Sequence, residues 1–494
     1  MKSIICREDE IRILERVFSS EKPEFIAVYG RRRIGKTYLI RNFFDQKNCI
    51  FFNVTGAKDG SYKDQIVNFN QRLGETFIKG VTPSLPVNWN AAFKLLTELI
   101  NDLPKNKKIV IFLDELPWLA TKRSKLLQTL DYYWNQYWSM DKRIKLIVCG
   151  SSASWIINKI INNKGGLHNR VTETLFLQAL SLSETARYLK LNNKVELPQK
   201  QIVEIYMVTG GIPYYLNRVE PALSATEVIE KLAFKQKAFL LDEFDNLFSS
   251  LFEDSGNYIE IIKAIASHRS GIGQEALFKK LSQTSKGSGG LARLKSLEDA
   301  GFIISFKPHF HKERGIYYRV IDEYTLFYLY WIAPLKETKM SSALTKGYWQ
   351  ALTQTPKWFS WAGYAFEAIC YKHLREIREA LELSPTAVPN SWRHISKKEN
   401  FIENELSGAQ IDLLFDREDD GITICEIKYT KKPFNIDQQY SAVLENKIKV
   451  FKQQTRTKKQ IFMAIISANG VLQNNYLESF NPRLITLEDF FDKK

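Results

Sequence analysis

The sequence predicts an α/β protein, and three stretches carry the prediction. Residues 30 to 37, GRRRIGKT, match G-x-x-x-x-G-K-[ST] with Gly30, Gly35, Lys36 and Thr37 in register. They lie between a short apolar strand, FIAVY (Phe25 to Tyr29), and TYLIRNFF, whose apolar residues recur at helical spacing. A second apolar run, Ile109 to Leu113, ends in the adjacent acids Asp114 and Glu115. Far downstream, the strand-like AQIDLLFD carries Asp412 and the strand-like GITICEIKYT carries Glu426 and Lys428.

At 494 residues the chain is too long for one hydrophobic core and fits roughly three or four domains. Hydrophobic residues make up 44% and charged residues 25%, an ordinary globular composition that excludes a disordered or fibrous chain. Lys plus Arg outnumber Asp plus Glu 70 to 55, a net charge of +15 that favours a polyanionic partner such as nucleic acid. The apolar run YTLFYLYWIAPL, Tyr324 to Leu335, is too short to cross a bilayer and contains Pro334, so it reads as a buried helix. The opening MKSIICREDEIRIL reads as a carboxylate-rich amphipathic helix where a signal peptide needs an apolar core, which predicts a cytoplasmic chain. The five cysteines lack any C-x-x-C, so neither a disulfide framework nor a zinc site is expected.

A strand feeding the glycine loop and a helix leaving it let backbone N–H groups and the helix N-terminus face an anion. Gly30, Arg31, Arg32, Arg33, Ile34, Gly35, Lys36, Thr37 and Tyr38 would wrap the phosphates of ATP, with Lys36 reaching the terminal ones and the Thr37 hydroxyl on Mg²⁺. Asp114 would hold that metal through water, and Glu115 would polarise the attacking water as general base. A third strand, IKLIVCG (Ile144 to Gly150), ends in Ser151 and Ser152, where a polar side chain would sense the γ-phosphate or form a turn or helix cap. Arg170, before a further strand in GLHNRVTETLFL, reads as an arginine finger, a nucleotide sensor or a surface charge.

ICREDEIRILERVF, GRRRIGKT, LDELPWL, CGSSASWI and TGGIPYYL together resemble the archaeal-type P-loop ATPases related to AAA+ and signal-transduction (STAND) NTPases, over roughly residues 1 to 240. The resemblance implies a P-loop NTPase parallel sheet in the order 5-1-4-3-2 followed by a helical lid. It also implies that a Gly-x-Pro element, here Gly211, Ile212 and Pro213, touches the nucleotide base. The residues themselves say only that GGIP breaks a helix.

From about Asn257 the pattern becomes three short helical stretches, then GFIISFKPHFHKERGIYYRVID, two strands around a basic loop from Lys307 to Arg314. That is a winged-helix layout. It would place the helix near Leu291 to Leu297 in a major groove, with Arg293 and Lys295 facing bases and Lys307, Lys312 and Arg314 on phosphates, or else serve as a packing or switch module.

In the last third, GYAFEAICYKHL reads as an amphipathic helix with Glu367 near its start. Strand alternation puts Glu426 and Lys428 on one face, and across a hairpin Asp412 reaches the same spot. Two carboxylates there would hold Mg²⁺ or Mn²⁺ against a scissile phosphate while Lys428 orients or activates water; the alternative is a salt-bridged hairpin. The arrangement resembles the restriction-endonuclease-like PD-(D/E)xK nucleases, with Asp412, Glu426 and Lys428 on the motif positions and Glu367 on the helical acid. It departs from the pattern at Ile411, with no proline before Asp412. A further helix follows, QQYSAVLENKIKVFKQQ, with Gln438, Gln439 and Tyr440 at its start.

The expected domains are a P-loop ATPase core (1–185), a helical lid (186–250), a winged-helix-like domain (251–335) and a restriction-endonuclease-like α/β domain (336–494). The resemblance implies an ATPase controlling a metal-dependent nuclease on DNA, in genome defence or mobile-element biology. The rivals are a nucleotide-gated DNA-binding regulator with a non-catalytic nuclease-like domain, and a signalling ATPase that forms homo-oligomers through its lid.

Overall fold

The computed structural model describes residues 4–163, 165–167, 169–286, 288–307, 315–338, 346–394 and 408–491. They form two compact units, Met1–Ala179 with Ile212–Tyr214, and Leu180–Gly211 with Tyr215–Lys494. Among the described residues no helix is long and apolar enough to cross a membrane. No disulfide joins the cysteines among the described residues.

The first unit is built on a parallel sheet of β1 (Glu24–Gly30), β2 (Cys49–Thr55), β3 (Lys108–Asp114), β4 (Ile144–Gly150) and β5 (Glu173–Leu177). Their order is β2-β3-β4-β1-β5, the expected 5-1-4-3-2 arrangement read from the other edge. β3 and β4 are buried almost end to end, which is why IVIFL and IKLIVCG read as continuous apolar runs rather than alternating ones. Helices Tyr62–Phe77, Trp89–Asn101 and Leu126–Gln136 cover the sheet, burying Phe69, Trp89, Phe93 and Trp134 with Phe25, Phe52 and Ile111. Ser61 starts the first of these with a capping box to Asp64. Because all strands run the same way, Gly30, Asp114 and Gly150 end on one edge of the sheet, where ligands of open parallel sheets bind.

In the second unit the apolar stretch after Asp322 is a buried helix as expected: Glu323–Phe327, capped by the Asp322 carboxylate, continues through a π-helical turn, Tyr328–Ile332, into Ala333–Glu337. Trp331 meets Trp349 edge to face at 5.2 Å and packs on Trp361 at 6.0 Å, so one aromatic cluster ties this helix to Pro356–Lys372. Helices Ser255–Ala266, Gln274–Lys280 and Ser288–Asp299 accompany a small antiparallel sheet of β6 (Ile272–Gly273), β7 (Ile303–Phe306) and β8 (Tyr317–Val320) in the order β6-β8-β7, the winged-helix layout. Lys312 and Arg314 lie outside the described residues.

A second five-stranded sheet follows, of β9 (Val388–His394), β10 (Ala409–Asp416), β11 (Gly421–Lys428), β12 (Gln460–Ser467) and β13 (Arg483–Ile485), in that spatial order. β9, β10 and β11 pair antiparallel, whereas β11, β12 and β13 pair parallel. Helix Pro356–Lys372 packs on β11, and helix Gln438–Thr455 covers β10 and β9, burying Leu444, Val450 and Phe451 against Trp392, Leu414 and Ile424. Glu367 sits near the end of its helix rather than near its start. The helix begins earlier, at Pro356 with Thr355 as N-cap, because a proline at the first position lacks only an N–H that would be unpaired there anyway.

Candidate nucleotide and metal sites

The glycine loop leaves β1 at Gly30, whose φ is +144° and where a Cβ would collide with the Leu177 carbonyl oxygen. Arg33 and Gly35 take left-handed conformations, φ +70° and +98°, and Gly35 starts helix Lys36–Phe44. Arg7, 7% exposed, donates to the carbonyls of Ile34 at 3.2 Å and Gln178 at 3.0 Å, which fixes the loop against the strand beside it. Lys36, 5% exposed, directs its ammonium into the loop and donates to the carbonyls of Gly30 at 2.9 Å and Arg31 at 3.0 Å. Tyr38, at the following helical turn, is exposed.

Asp114 is buried and accepts from the Thr37 hydroxyl at 3.0 Å and from the Thr55 hydroxyl at 3.2 Å. Thr55 pairs with Asp114 across β2 and β3 and accepts in turn from Arg41 at 2.9 Å. Glu115, held in the left-handed region at φ +48°, turns from Asp114 toward β4, where its Oε2 accepts from the Ser151 N–H at 3.0 Å and hydroxyl at 2.9 Å. Lys36, Thr37, Asp114, Glu115 and Ser151 thus converge. The exposed Arg170 has no hydrogen bond or ion pair to them among the described residues. Pro213 begins the short helix Pro213–Leu216, and the Arg33 guanidinium lies 4.5 Å from the Tyr214 ring centroid.

These residues fit a nucleotide with its magnesium. The loop is a ring of backbone donors at a helix N-terminus, and Thr37 and Asp114 offer neighbouring oxygens to a hard cation. The Arg32 Nη1 is buried with no hydrogen-bond partner among the described residues, a donor that an anion would satisfy.

At the C-terminal site, Leu413 pairs with Cys425, so Asp412 and Glu426 are neighbours across the β10–β11 hairpin. Glu426, 3% exposed, accepts from Lys428 at 2.8 Å and from the Tyr440 hydroxyl on Oε1, and from Lys447 at 2.8 Å on Oε2. Burial works to raise its pKa, but the two ammonium charges outweigh burial and hold it below the ordinary value. Glu367 is the opposite case: burial first, then the Asp412 charge, push it up to about 8. Asp412 accepts from the Gln410 amide, and its backbone carbonyl accepts from the Tyr371 hydroxyl. Among the described residues no three His, Cys, Asp or Glu side chains converge into a metal cage of their own. Mg²⁺ keeps waters and takes as few as one or two carboxylates; Asp412 and Glu426 are two such groups, with both Glu426 oxygens engaged by Lys428, Lys447 and Tyr440.

Two residues at this site carry no motif. Lys447 sits two helical turns after Tyr440, a spacing that puts both on one face of helix Gln438–Thr455 and is visible in the sequence. Arg319 on β8, 3% exposed, reaches into the carboxylate cluster from the winged-helix module, with its guanidinium 4.8 Å from the Tyr371 ring centroid. Burial pulls its pKa down, but the charges of Tyr371, Glu367 and Asp412 hold it above the ordinary value, and its Nε has no hydrogen-bond partner among the described residues. Nothing in the sequence near Arg319 points to that site. In the winged helix, Arg293 donates to the Thr284 carbonyl at 3.1 Å and Lys295 pairs with Asp299 at 2.9 Å and Glu298 at 3.4 Å.

The chain is similar to several known proteins. Residues 5–219 match the model of an ATPase domain predominantly from Archaea. The uncharacterized protein MJECL04 of Methanocaldococcus jannaschii is 27% identical over 385 residues, 77% of this chain and 79% of that protein. The uncharacterized ATP-binding protein MJ0423 of the same organism is 46% identical over 43 residues, 9% of this chain and 73% of its own length. Among solved structures, a Walker-type ATPase of Pyrococcus abyssi is similar with TM-score 0.46 and 17% identity, covering 66% of this chain and 96% of that one. The ORC2 protein of Aeropyrum pernix, in ADPNP–ADP complexes, is similar with TM-score 0.44 and 16% identity, covering 69% and 96%. With Lys36, Thr37 and Asp114 set at the C-terminal edge of a β2-β3-β4-β1-β5 sheet, residues 5–219 are an ATPase domain of the type found predominantly in Archaea.

Proposed function

We propose that this archaeal-type ATPase uses its nucleotide state to govern a metal-dependent phosphodiesterase acting on DNA. At the first site Lys36 binds the terminal phosphates, Thr37 and Asp114 hold magnesium, and Glu115 takes a proton from the attacking water once its carboxylate leaves Ser151. Magnesium, when bound, neutralises charge on the phosphates. Arg170 and Pro213 complete the nucleotide site as sensor and base contact.

At the second site Asp412 and Glu426 hold a divalent cation, which supplies charge neutralisation at the scissile phosphate. Lys428 orients the attacking water, and Glu367 carries a proton near neutral pH that it can exchange with that water. The observation that carries this reading is the electrostatics of the carboxylates. Glu367 and Asp412 lie close enough for one charge to oppose the other, which is the condition of a site that gains by taking a cation.

A second reading, a nucleotide-gated DNA-binding ATPase whose nuclease-like domain does not cleave, is favoured by one fact: Glu426 already has Lys428, Lys447 and Tyr440 on its two oxygens. A cleavage panel separates the two readings. Plasmid, linear duplex, single-stranded DNA and RNA are incubated with Mg²⁺, Mn²⁺ or EDTA, each with and without ATP. Metal-dependent cleavage that changes with nucleotide supports the first reading; binding without cleavage under every condition establishes the second.

A further inference from the structure

A cleft of about 580 Å³ in the second unit opens between the turn that follows helix Ser255–Ala266 and the C-terminal domain. Glu367 and Lys428 lie in its wall, so it leads to the carboxylate site. The cleft is polar and basic. Arg269, from the winged-helix module, is exposed, and its Nη1 donates to the Ser360 hydroxyl at 3.0 Å and lies 3.5 Å from the Ser360 carbonyl. Arg393, at the end of β9, is exposed, and its Nη1 donates to the Ser270 hydroxyl at 2.6 Å. Each arginine is thus pinned by a serine of the opposite module, which orients a five-donor fork at the wall of the cleft.

Tyr364 supplies an independent observation. It lines the same cleft at 8% exposure, the Arg269 guanidinium lies 5.6 Å from its ring centroid, and its hydroxyl has no hydrogen-bond partner among the described residues. A buried hydroxyl without a partner costs free energy that an incoming acceptor recovers. Among the described residues that line the cleft, Arg269, Arg393 and Lys428 stand with one acid, Glu367. Planar, always-charged guanidinium groups suit the paired oxygens of a phosphodiester.

We propose that this cleft grips the backbone of a nucleic acid, with Arg269 and Arg393 each taking a phosphate and the Tyr364 hydroxyl donating to a backbone oxygen. The winged-helix module then meets nucleic acid through the turn at 267–270 rather than through helix Ser288–Asp299, whose Arg293 and Lys295 are committed to Thr284, Glu298 and Asp299. The inference rests on the proposed reading of the C-terminal domain as acting on nucleic acid.

The test measures binding of the full chain to a fluorescein-labelled duplex and to one strand of it, by anisotropy across a salt series in EDTA so that no probe is cleaved. Removing one phosphate-neutralising charge lowers the slope of log K against log salt by about 0.9 on duplex. Arg269→Gln and Arg393→Gln keep an amide donor for Ser360 and Ser270 while removing the charge, so folding is protected. Each is expected to lower the slope by about 0.9 and the pair by about 1.8. Arg293→Gln with Lys295→Gln is expected to leave it unchanged. If the wild type binds but the double Arg269→Gln, Arg393→Gln variant keeps the full slope, the cleft assignment is overturned and nucleic-acid action stands. If the wild type binds neither probe, the proposed function itself falls.

Discussion

The Glu115 carboxylate accepts two hydrogen bonds from Ser151, one from its N–H at 3.0 Å and one from its hydroxyl at 2.9 Å. A carboxylate engaged in this way is turned toward β4 and held there. Removing the hydroxyl in Ser151→Ala takes away one bond, worth about 1 kcal/mol. Basal ATP turnover is expected to rise by about fivefold, with nucleotide affinity unchanged. Glu115→Gln is expected to bind ATP normally and lose turnover by about 10² to 10⁴-fold. Steady-state hydrolysis and a fluorescent-nucleotide titration read both; a fall in Ser151→Ala turnover would instead place the hydroxyl on the γ-phosphate.

Lys36 is buried within its loop and bonded to two carbonyls, so it is already directed where phosphate oxygens would sit. Lys36→Ala is expected to weaken ATP binding by roughly 10 to 100-fold, the worth of a charge-assisted hydrogen bond. Titration calorimetry with ATP and Mg²⁺ checks it, and an unchanged Kd would remove Lys36 from the site.

Asp412 and Glu426 are expected to behave alike in catalysis and differently in stability. Alanine at either is expected to abolish metal-dependent cleavage. Only Glu426→Ala leaves Lys428 and Lys447 without their shared counter-charge, at a cost of about 3 kcal/mol, whereas Asp412→Ala loses chiefly a side-chain bond from Gln410. Urea unfolding of the two variants tests the difference; equal stabilities would contradict the buried pairing.

His373 makes the second unit sensitive to acid. Its Nδ1 donates to the Ile369 carbonyl at 2.8 Å and its Nε2 accepts from the Leu182 N–H at 3.0 Å, so the ring is neutral. Burial pushes its pKa down from 6.5 to about 4. Between those values the unfolded chain binds a proton that the folded chain refuses, so stability falls as pH drops through this window, by up to about 3 kcal/mol. His373→Gln is expected to flatten that part of the stability curve. Unfolding free energies measured at several pH values from neutrality to pH 4 decide it, and parallel curves would refute the assignment.

If nucleotide governs the C-terminal site, linkage makes the effect reciprocal: duplex DNA must change ATP affinity by the factor by which ATP changes DNA affinity. ATP titrated into Glu115→Gln with and without duplex gives one factor, and DNA titrated with and without ATP gives the other. An ATP affinity unchanged by duplex together with a DNA affinity unchanged by ATP would leave two uncoupled activities on one chain.

Local pattern carried the P-loop, the acid-ended β3 and the hairpin bearing Asp412 and Glu426, because each is a short stretch whose strand or helix periodicity and turn chemistry are set by neighbouring residues. The start of the Glu367 helix is hard to place for a local reason too: the tryptophans of PKWFSW look like a core segment, and the capping pair Thr355 and Pro356 is easily passed over. The Glu115–Ser151 contact and the Thr55 bond to Asp114 were not legible, since both depend on which strands become neighbours.

The sequence by itself determined that residues 30–37 form a phosphate loop and that acids would stand at the ends of particular strands, because backbone conformation and side-chain alternation are local properties. Tertiary structure alone decided what those acids face. Arg319 reaches Glu367 and Asp412 from the winged-helix module, and Arg269 and Arg393 exchange serine partners across the cleft, through hydrogen bonds between residues 91 and 123 positions apart. Packing, which buries Trp331, Trp349 and Trp361 together, sets those distances, and neither periodicity nor spacing encodes them.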